Sequence, residues 1–352
     1  MNDSISRYKR KKMKHAIVGV IFLFVLCALL ISMVSLGAMN ISLITTWNVL
    51  LAKLAGSEKL LEGIKPNIVS VVWDIRLPRI ICGICVGMGL AMAGTIFQSL
   101  LQNPLADPYT LGVSTGAAFG ASLAIFINIM YGIIVPVPLF AFAFAFITLL
   151  MVILIAGRGR GQPSSNLIIA GIIVSAVLSS GISFIKMLSG ENVGAIVFWL
   201  MGSLSSRSWK EVALILPALC ISGGIAFLFS KDLNAMAMGD KNAVALGVNT
   251  KRLRLLYLIL GSWITAACVS VCGIIGFIGL IVPHMLRFWF TSDNRVLIPL
   301  SALMGGMLLS IADNATRLLT TSEIPVGVLT TLIGGPFFIY IFTKRRKGAG
   351  DE

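Results

Sequence analysis

Long apolar runs, broken by short polar, Pro- or Gly-marked stretches, recur along almost the whole chain. Each is about 18 to 22 residues, enough for an α-helix to cross roughly 30 Å of hydrocarbon. The breaks predict ten helices, over 16–36, 79–101, 108–129, 138–156, 166–187, 212–230, 255–272, 274–290, 297–314 and 326–343. Only "VCGIIG" separates the seventh from the eighth, so that boundary is the least defined. A membrane β-barrel needs short segments of strict alternation, and none occur. The expected fold is all-α and polytopic. A basic arm (1–15) leads into a transmembrane body (16–343) with a long loop at 231–254, and a basic tail (344–352) follows.

Composition agrees. The 352 residues are 57% hydrophobic and 12% charged, too little charge to cover a soluble domain of this length. The mean hydropathy is +0.95. Much of the net charge of +14 sits in "RYKRKKMK" (7–14) and "KRRK" (344–347), whose natural neighbours are anionic lipid headgroups rather than nucleic acid. The first apolar run exceeds the signal-peptide core of about 7–15 residues and predicts a retained helix. Ten helices put both termini on one side. That side then holds 19 of the 28 Lys and Arg residues and the other holds 9, which makes it cytoplasmic in a cell membrane.

In this topology Arg76 and Arg79, in "RLPR", lie outside at the entrance to the second helix, and Arg317 lies outside between the last two helices. Two readings stand for them: snorkelling to lipid phosphates, or reception of a carboxylate-bearing partner. Ionisable groups are nearly absent from the spans; Asp313, near the outer end of the ninth helix, is the main exception, and its i, i+4 spacing offers it Arg317 as a partner. An ion-coupled carrier normally needs mid-membrane carboxylates, and a membrane enzyme needs clustered His, Asp or Glu. The sequence has neither, nor a Lys-Ser or Lys-Thr phosphate loop. The six cysteines all fall in apolar runs, and the Cys82/Cys85 CxxC lacks companion ligands, so core packing rather than a metal is expected.

Three stretches are dense in unusual residues. Over 98–122, Gln98, Gln102, Asn103 and Asp107 cluster around Pro104 and Pro108, and Gly112, Gly116 and Gly120 follow at four-residue spacing, as helix packing requires. In the long loop, Asp240 is placed to cap a short helix over 241–246 and Gly247 to end it. Ala243, Val244 and Leu246 give that helix an apolar face suited to a soluble partner or to the headgroups. Over 271–289, Gly273, Gly276 and Gly279 precede Pro283 and His284, and hydrogen bonding is the expected role of the histidine. Residues 83–104 and 261–283 also echo one another as small-residue runs closing on Pro from opposite sides, the outline of an inverted repeat.

"RLPR", "QNPLADPYTLGVSTGAAFGA", "FWLMGSLSSRSW", "LGVNTKRLR", "GFIGLIVPHMLR" and "ADNATR…EIPVGVLTTLIGGPFFIYIF" resemble, in order and from about residue 66 to 343, permeases of the FecCD type. These are the membrane subunits of importers for iron–siderophore complexes, haem and cobalamin. The resemblance implies a type II ATP-binding-cassette importer permease that pairs with a second copy or a related permease. It also implies a cytoplasmic ATPase dimer that binds ATP and Mg, and a substrate-binding protein outside. Arg76, Arg79 and Arg317 match the family's docking arginines, and 240–247 matches its coupling helix. Leu105 matches a cytoplasmic gate residue, with Ser164 or Ser165 as its partner. On this resemblance the chain is no enzyme and carries no cofactor. Ferric siderophore is the preferred cargo, with haem and cobalamin open.

Overall fold

The computed structural model describes residues 2–37, 39–159, 163–319 and 324–348, and every extended element among them is helical. The first, α1 (Asn2–Ser35), takes in the basic arm, which therefore runs straight into the first span. In the connection after α1 stands α2 (Leu43–Ala55), a helix the apolar pattern missed; Ser42 caps it by accepting the Thr45 N–H, and Gly56 closes it at φ 66°. Next, α3 (Pro66–Ser70), a π-helical turn (Val71–Arg76) and α4 (Leu77–Leu100) join into one 35-residue run. The second helix was expected to begin at 79. It begins instead at Pro66, so Arg76 and Arg79 lie inside a helix rather than at its mouth. Pro66 opens the run, and Pro78, which has no N–H to donate, follows directly on the π-helical turn.

The chain continues through α5 (Val113–Tyr131), α6 (Val137–Ala156), α7 (Pro163–Leu188), the short α8 (Val193–Leu200) and α9 (Trp209–Leu228). After these come α10 (Ser230–Ala237), α11 (Asp240–Ala245), α12 (Thr250–Cys272), α13 (Ile278–Trp289), α14 (Asn294–Leu319) and α15 (Val326–Gly348), the last continuing into the basic tail. Among the described residues, eight helices are long and apolar enough by themselves to cross a membrane. Ile278–Trp289 and Val326–Ile339 are the shorter apolar pieces. At 12 residues α13 spans about 18 Å, less than the hydrocarbon thickness. The preceding residues are not helical: Gly273 and Phe277 take left-handed backbone, at φ 74° and 68°. Such backbone needs protein partners at membrane depth. The Tyr109 hydroxyl supplies one, donating to the Ile275 carbonyl at 2.6 Å.

At the centre lies α4, with 89% of its most apolar window buried against 17% for α1. Lipid tails give helices no hydrophobic reason to associate, so close packing has to hold them together. Glycines allow it. Gly87 of α4 meets the backbone of Gly305 in α14, Gly94 meets Gly279 in α13, and a Cβ on Gly89 would stand 2.7 Å from the Cys268 sulfur of α12.

Candidate functional site

Because α4 and α14 run side by side, their ends define the two ends of the bundle. Arg79 and Asp313 meet at one end, Ser99 and Asn294 at the other.

At the first end Arg79 is 8% exposed and grips Asp313, 4% exposed, through Nε at 3.0 Å and Nη2 at 2.9 Å. This two-pronged pair corrects the expectation that Asp313 takes Arg317, and it buries a guanidinium expected to be open. Arg76 is also buried, at 5%. Its Nη1 donates to the carbonyls of Val34 and Ser35 at 3.0 and 2.9 Å, and its Nη2 to that of Met39 at 2.5 Å. These carbonyls belong to the C-terminal turn of α1 and the loop after it, where partial negative charge collects and a cation is favoured. Arg317, half-buried in the last turn of α14, joins in by donating to the Leu36 carbonyl at 3.2 Å. Arg76 and Arg317 both crowd Gly37, where an added Cβ would stand 2.7 and 2.8 Å from their Nη2 atoms. The three arginines are thus brought together on one end, two of them buried and Arg317 more open. An open pocket of about 350 Å³ is lined by Phe198, Trp199, Ser203, Arg207 and Cys272 among others.

The opposite end carries the short helix. Here α11 is preceded by Gly239 at φ 107°, and the Asp240 side chain makes no cap. Instead its carboxylate takes both contacts from Arg254 Nη2, at 2.6 and 2.7 Å, which corrects the capping role and ties α11 to α12. Gly247 has φ 82° and its N–H reaches the Val244 carbonyl at 2.9 Å, while Val248 N–H reaches that of Ala243 at 3.0 Å. Ala243 is fully buried, whereas Val244 and Leu246 are 60% and 67% exposed, so the apolar face divides between core and surface.

The remaining sequence candidates spread over the connections at this same end. Leu105 is exposed in the loop between α4 and α5, its N–H taken by Asn103 Oδ1 at 2.9 Å. Ser164 is half-buried and Ser165 exposed in the first turn of α7. Gly112 caps α5 at φ 75° and faces Ser175 and Gly171 of α7, whereas Gly116 and Gly120 face Thr148, Phe144 and Phe140 of α6. The stripe therefore serves two neighbours. Asp107 receives the N–H groups of Tyr109 and Thr110, both at 3.0 Å, yet burial pushes its carboxyl up to about 6.

Sequence reasoning missed a polar cluster that links these elements. Arg287 of α13 donates to Gln98 Oε1, to Ser99 Oγ at 3.0 Å and to the Thr95 carbonyl at 3.5 Å. Ser99 Oγ donates to Asn294 Oδ1 at 2.9 Å, and the Asn294 N–H donates to Asn234 Oδ1 at 2.8 Å. Asn234 Nδ2 donates to Asp293 at 2.7 Å. Burial raises the Asp293 carboxyl, but hydrogen bonds from Arg295 and Asn234 outweigh it and hold the group below the usual range. Gln98 was visible as an oddity, but nothing in the sequence points it at Arg287, 189 positions away. His284 sits edge-on to Phe338, with ring centroids 5.9 Å apart. Among the described residues no group of three or more His, Cys, Asp or Glu is placed to hold a metal ion, and the six cysteines form no disulfide.

The structure is thus a many-helix membrane body with a stubby, partly exposed helix at one end and an arginine cluster at the other. Comparison with known proteins gives the family. The chain belongs to the FecCD transport family, whose profile matches residues 21–344. It is similar to the cobalamin import system permease protein BtuC of Halobacterium salinarum, 39% identical over 283 residues covering 80% of this chain and 76% of the relative. The molybdate import system permease protein MolB of Haemophilus influenzae is 33% identical over 337 residues, covering 95% and 97%. The Fe(3+)-citrate import system permease protein YfmE of Bacillus subtilis is 36% identical over 282 residues, covering 80% and 84%. Among solved structures, an inward-facing metal-chelate type ABC transporter matches with a TM-score of 0.80 and 31% identity, over 93% of this chain and 99% of that one. The chain is therefore a multi-pass ABC importer permease, without a catalytic site or cofactor of its own.

Proposed function

We propose that this permease carries a metal chelate, a ferric siderophore by preference, into the cytoplasm on energy from a separate ATPase. The observation that carries this reading is α11: a six-residue helix pinned to α12 by Asp240–Arg254, offering Val244 and Leu246 outward. Apolar side chains that exposed on a loop too short to anchor in lipid suit a cleft on a soluble protein. Closure of an ATPase dimer would push on this helix and tilt the bundle. Two permease copies would flank the path, with both termini cytoplasmic and the Leu105 loop and the α7 start at the inner gate. At the other end the Arg76, Arg79 and Arg317 cluster would give a binding protein's acidic lobes their register. With Arg76 and Arg79 buried against α1 and Asp313, Arg317 is the member best exposed to a partner carboxylate.

The cargo preference draws on YfmE, named for iron citrate, and on the metal-chelate structure. BtuC and MolB, named for cobalamin and molybdate, mark how far cargo varies within the family.

The test is co-purification of the cognate ATPase with the double variant Val244→Asp, Leu246→Asp. The expected result is loss of at least about tenfold in complex yield, as two buried apolar contacts imply, with an unchanged gel-filtration profile of the permease. A complex recovered at parental yield would overturn the reading.

A further inference from the structure

The polar cluster at the α11 end joins elements that the proposed cycle must move together, yet none of its members touches the outward face of α11. Two routes leave α10, the helix joined to α11 through Gly239. The first is direct: Gln102 Nε2, on the loop that holds Leu105, donates to the Met236 carbonyl of α10 at 2.9 Å. The second begins at Asn234 of α10, which holds the Asn294 N–H and Asp293 at the start of α14, and passes from Asn294 to Ser99 and on to Arg287. Gln98 closes it, accepting from Arg287 near the end of α13 and donating to the Gly279 and Leu280 carbonyls at its start, both at 3.2 Å. That start abuts the Leu105 loop. A Cβ on Gly279 would stand 3.4 Å from Pro108 Cδ, and Tyr109 donates to Ile275.

Both routes therefore begin on α10 and finish on the loop at 101–112. The core members are thoroughly buried, Asn294 at 1%, Gln98 at 3% and Ser99 at 5%, so water cannot readily take over their bonds. Leu233 and Met236 are fully buried and anchor α10, so a displacement of the helix must be passed to whatever its polar side chains hold. Helices joined only by apolar contact in a membrane can slide, because lipid replaces lost contacts at little cost. Hydrogen bonds fix their register.

We propose that Asn234 and Gln102 are positioning residues that couple movement of α10–α11 to the inner loop carrying Leu105. This rests on the importer reading above. Arg287 with Gln98 forms the rigid middle of the longer route, locking α13 to α4 so that the start of α13 follows α14. Asn234 acts through Asn294, and none of these groups needs to touch cargo.

The experiment uses the complete permease–ATPase complex in liposomes, with a reporter cysteine at Leu105→Cys and labelling by a membrane-impermeant maleimide. Rates are compared without nucleotide and after trapping with ATP and vanadate, subtracting the protein without the reporter. The parent should show a nucleotide-dependent difference of about fivefold or more, the lower range for coupling between sites. Asn234→Ala with Gln102→Ala should reduce it to less than about twofold while ATPase association persists. Asn128→Ala removes two side-chain bonds to Val135 in the α5–α6 connection, at the opposite end, and should leave the difference intact. That control separates coupling from general weakening. Should the double variant not assemble, Gln102→Ala alone, at an exposed side chain, is expected to give a partial loss. A full nucleotide response in the double variant, or in the single variant where the double fails to assemble, overturns the relay and leaves the importer reading standing. So does an equal loss in Asn128→Ala. A parent that shows no response to nucleotide overturns both.

Discussion

Replacing Asp313 by alanine takes away the two carboxylate oxygens that Arg79 holds at 3.0 and 2.9 Å, at a site where the side chains are 5% and 10% exposed. Charge centres about 4 Å apart attract by roughly 4 kcal/mol at the effective dielectric of partly buried protein sites. Several kcal/mol of lost hydration per ion offset this, so the intact pair contributes little net stability. Breaking it is another matter, because the burial cost of the remaining guanidinium is no longer offset by that carboxylate. Asp313→Ala should cost about 3–5 kcal/mol, and Arg79→Ala, which strands the carboxylate, a similar amount. The double variant Arg79→Leu, Asp313→Leu should come back to within about 1 kcal/mol of the parent. The assay is equilibrium unfolding in mixed dodecylmaltoside–SDS micelles, read by tryptophan fluorescence. Trp73 and Trp209 make a local probe at this end: their ring centroids are 5.4 Å apart, and Trp209 Nε1 donates to the Trp73 carbonyl at 3.1 Å. Single losses below about 1 kcal/mol, or a double loss equal to the sum of the singles, would refute the claim that the two charges form one buried unit.

Gly94→Ala puts a methyl group against the Gly279 backbone, and should cost about 1–3 kcal/mol by forcing α4 and α13 apart; a shift of the same unfolding midpoint measures it. The Asp107 carboxyl, pushed by burial up to about 6, binds its proton more tightly in the folded chain than the ordinary value of about 4 allows. Stability should therefore fall as pH rises from about 4 through about 6, and stay reduced above that. Asp107→Asn should flatten that part of the pH–stability profile, and an unchanged slope would show that Asp107 does not titrate there.

The helical body was readable because length and hydropathy are local properties, and a run such as 138–156 needs no partner to declare itself. Boundaries failed where tertiary contact overrode that signal. The α12–α13 break depends on Tyr109 meeting Ile275 from a distant loop, and on Gly202 and Gly273 allowing close approach. The start of the second helix failed for the opposite reason. Asp74 and Arg76 interrupt the apolar run from Ile68, so the sequence hides that 66–76 continues the helix; in the fold Val72 and its neighbours pack with residues of α1 and α2. The sequence singled out Arg76, Arg79, Arg317 and the α11 residues as candidates, but gave no sign of their bonding. Asp313 lies four residues from Arg317 but 234 from Arg79, and only the fold brings the more distant arginine closer. Asp240 made the same substitution, giving up a cap within its own helix for Arg254. The Arg287 cluster left the least trace, because asparagines and glutamines at helix ends are ordinary until they face one another.

The π-helical turn Val71–Arg76 has a consequence for the geometry of the arginine end of the bundle. Each residue of an α-helix advances the chain by about 100° around its axis, so the extra residue in that turn works as a phase shifter between the segment before it and α4. Within the turn, Trp73 is aimed at Trp209; downstream, Arg79 is aimed at Asp313. A uniform helix through this stretch would satisfy one of those bearings and miss the other. Deleting Asp74 or Ile75 would thus act like a slipped gear tooth, leaving each half regular while the two no longer point at their own targets.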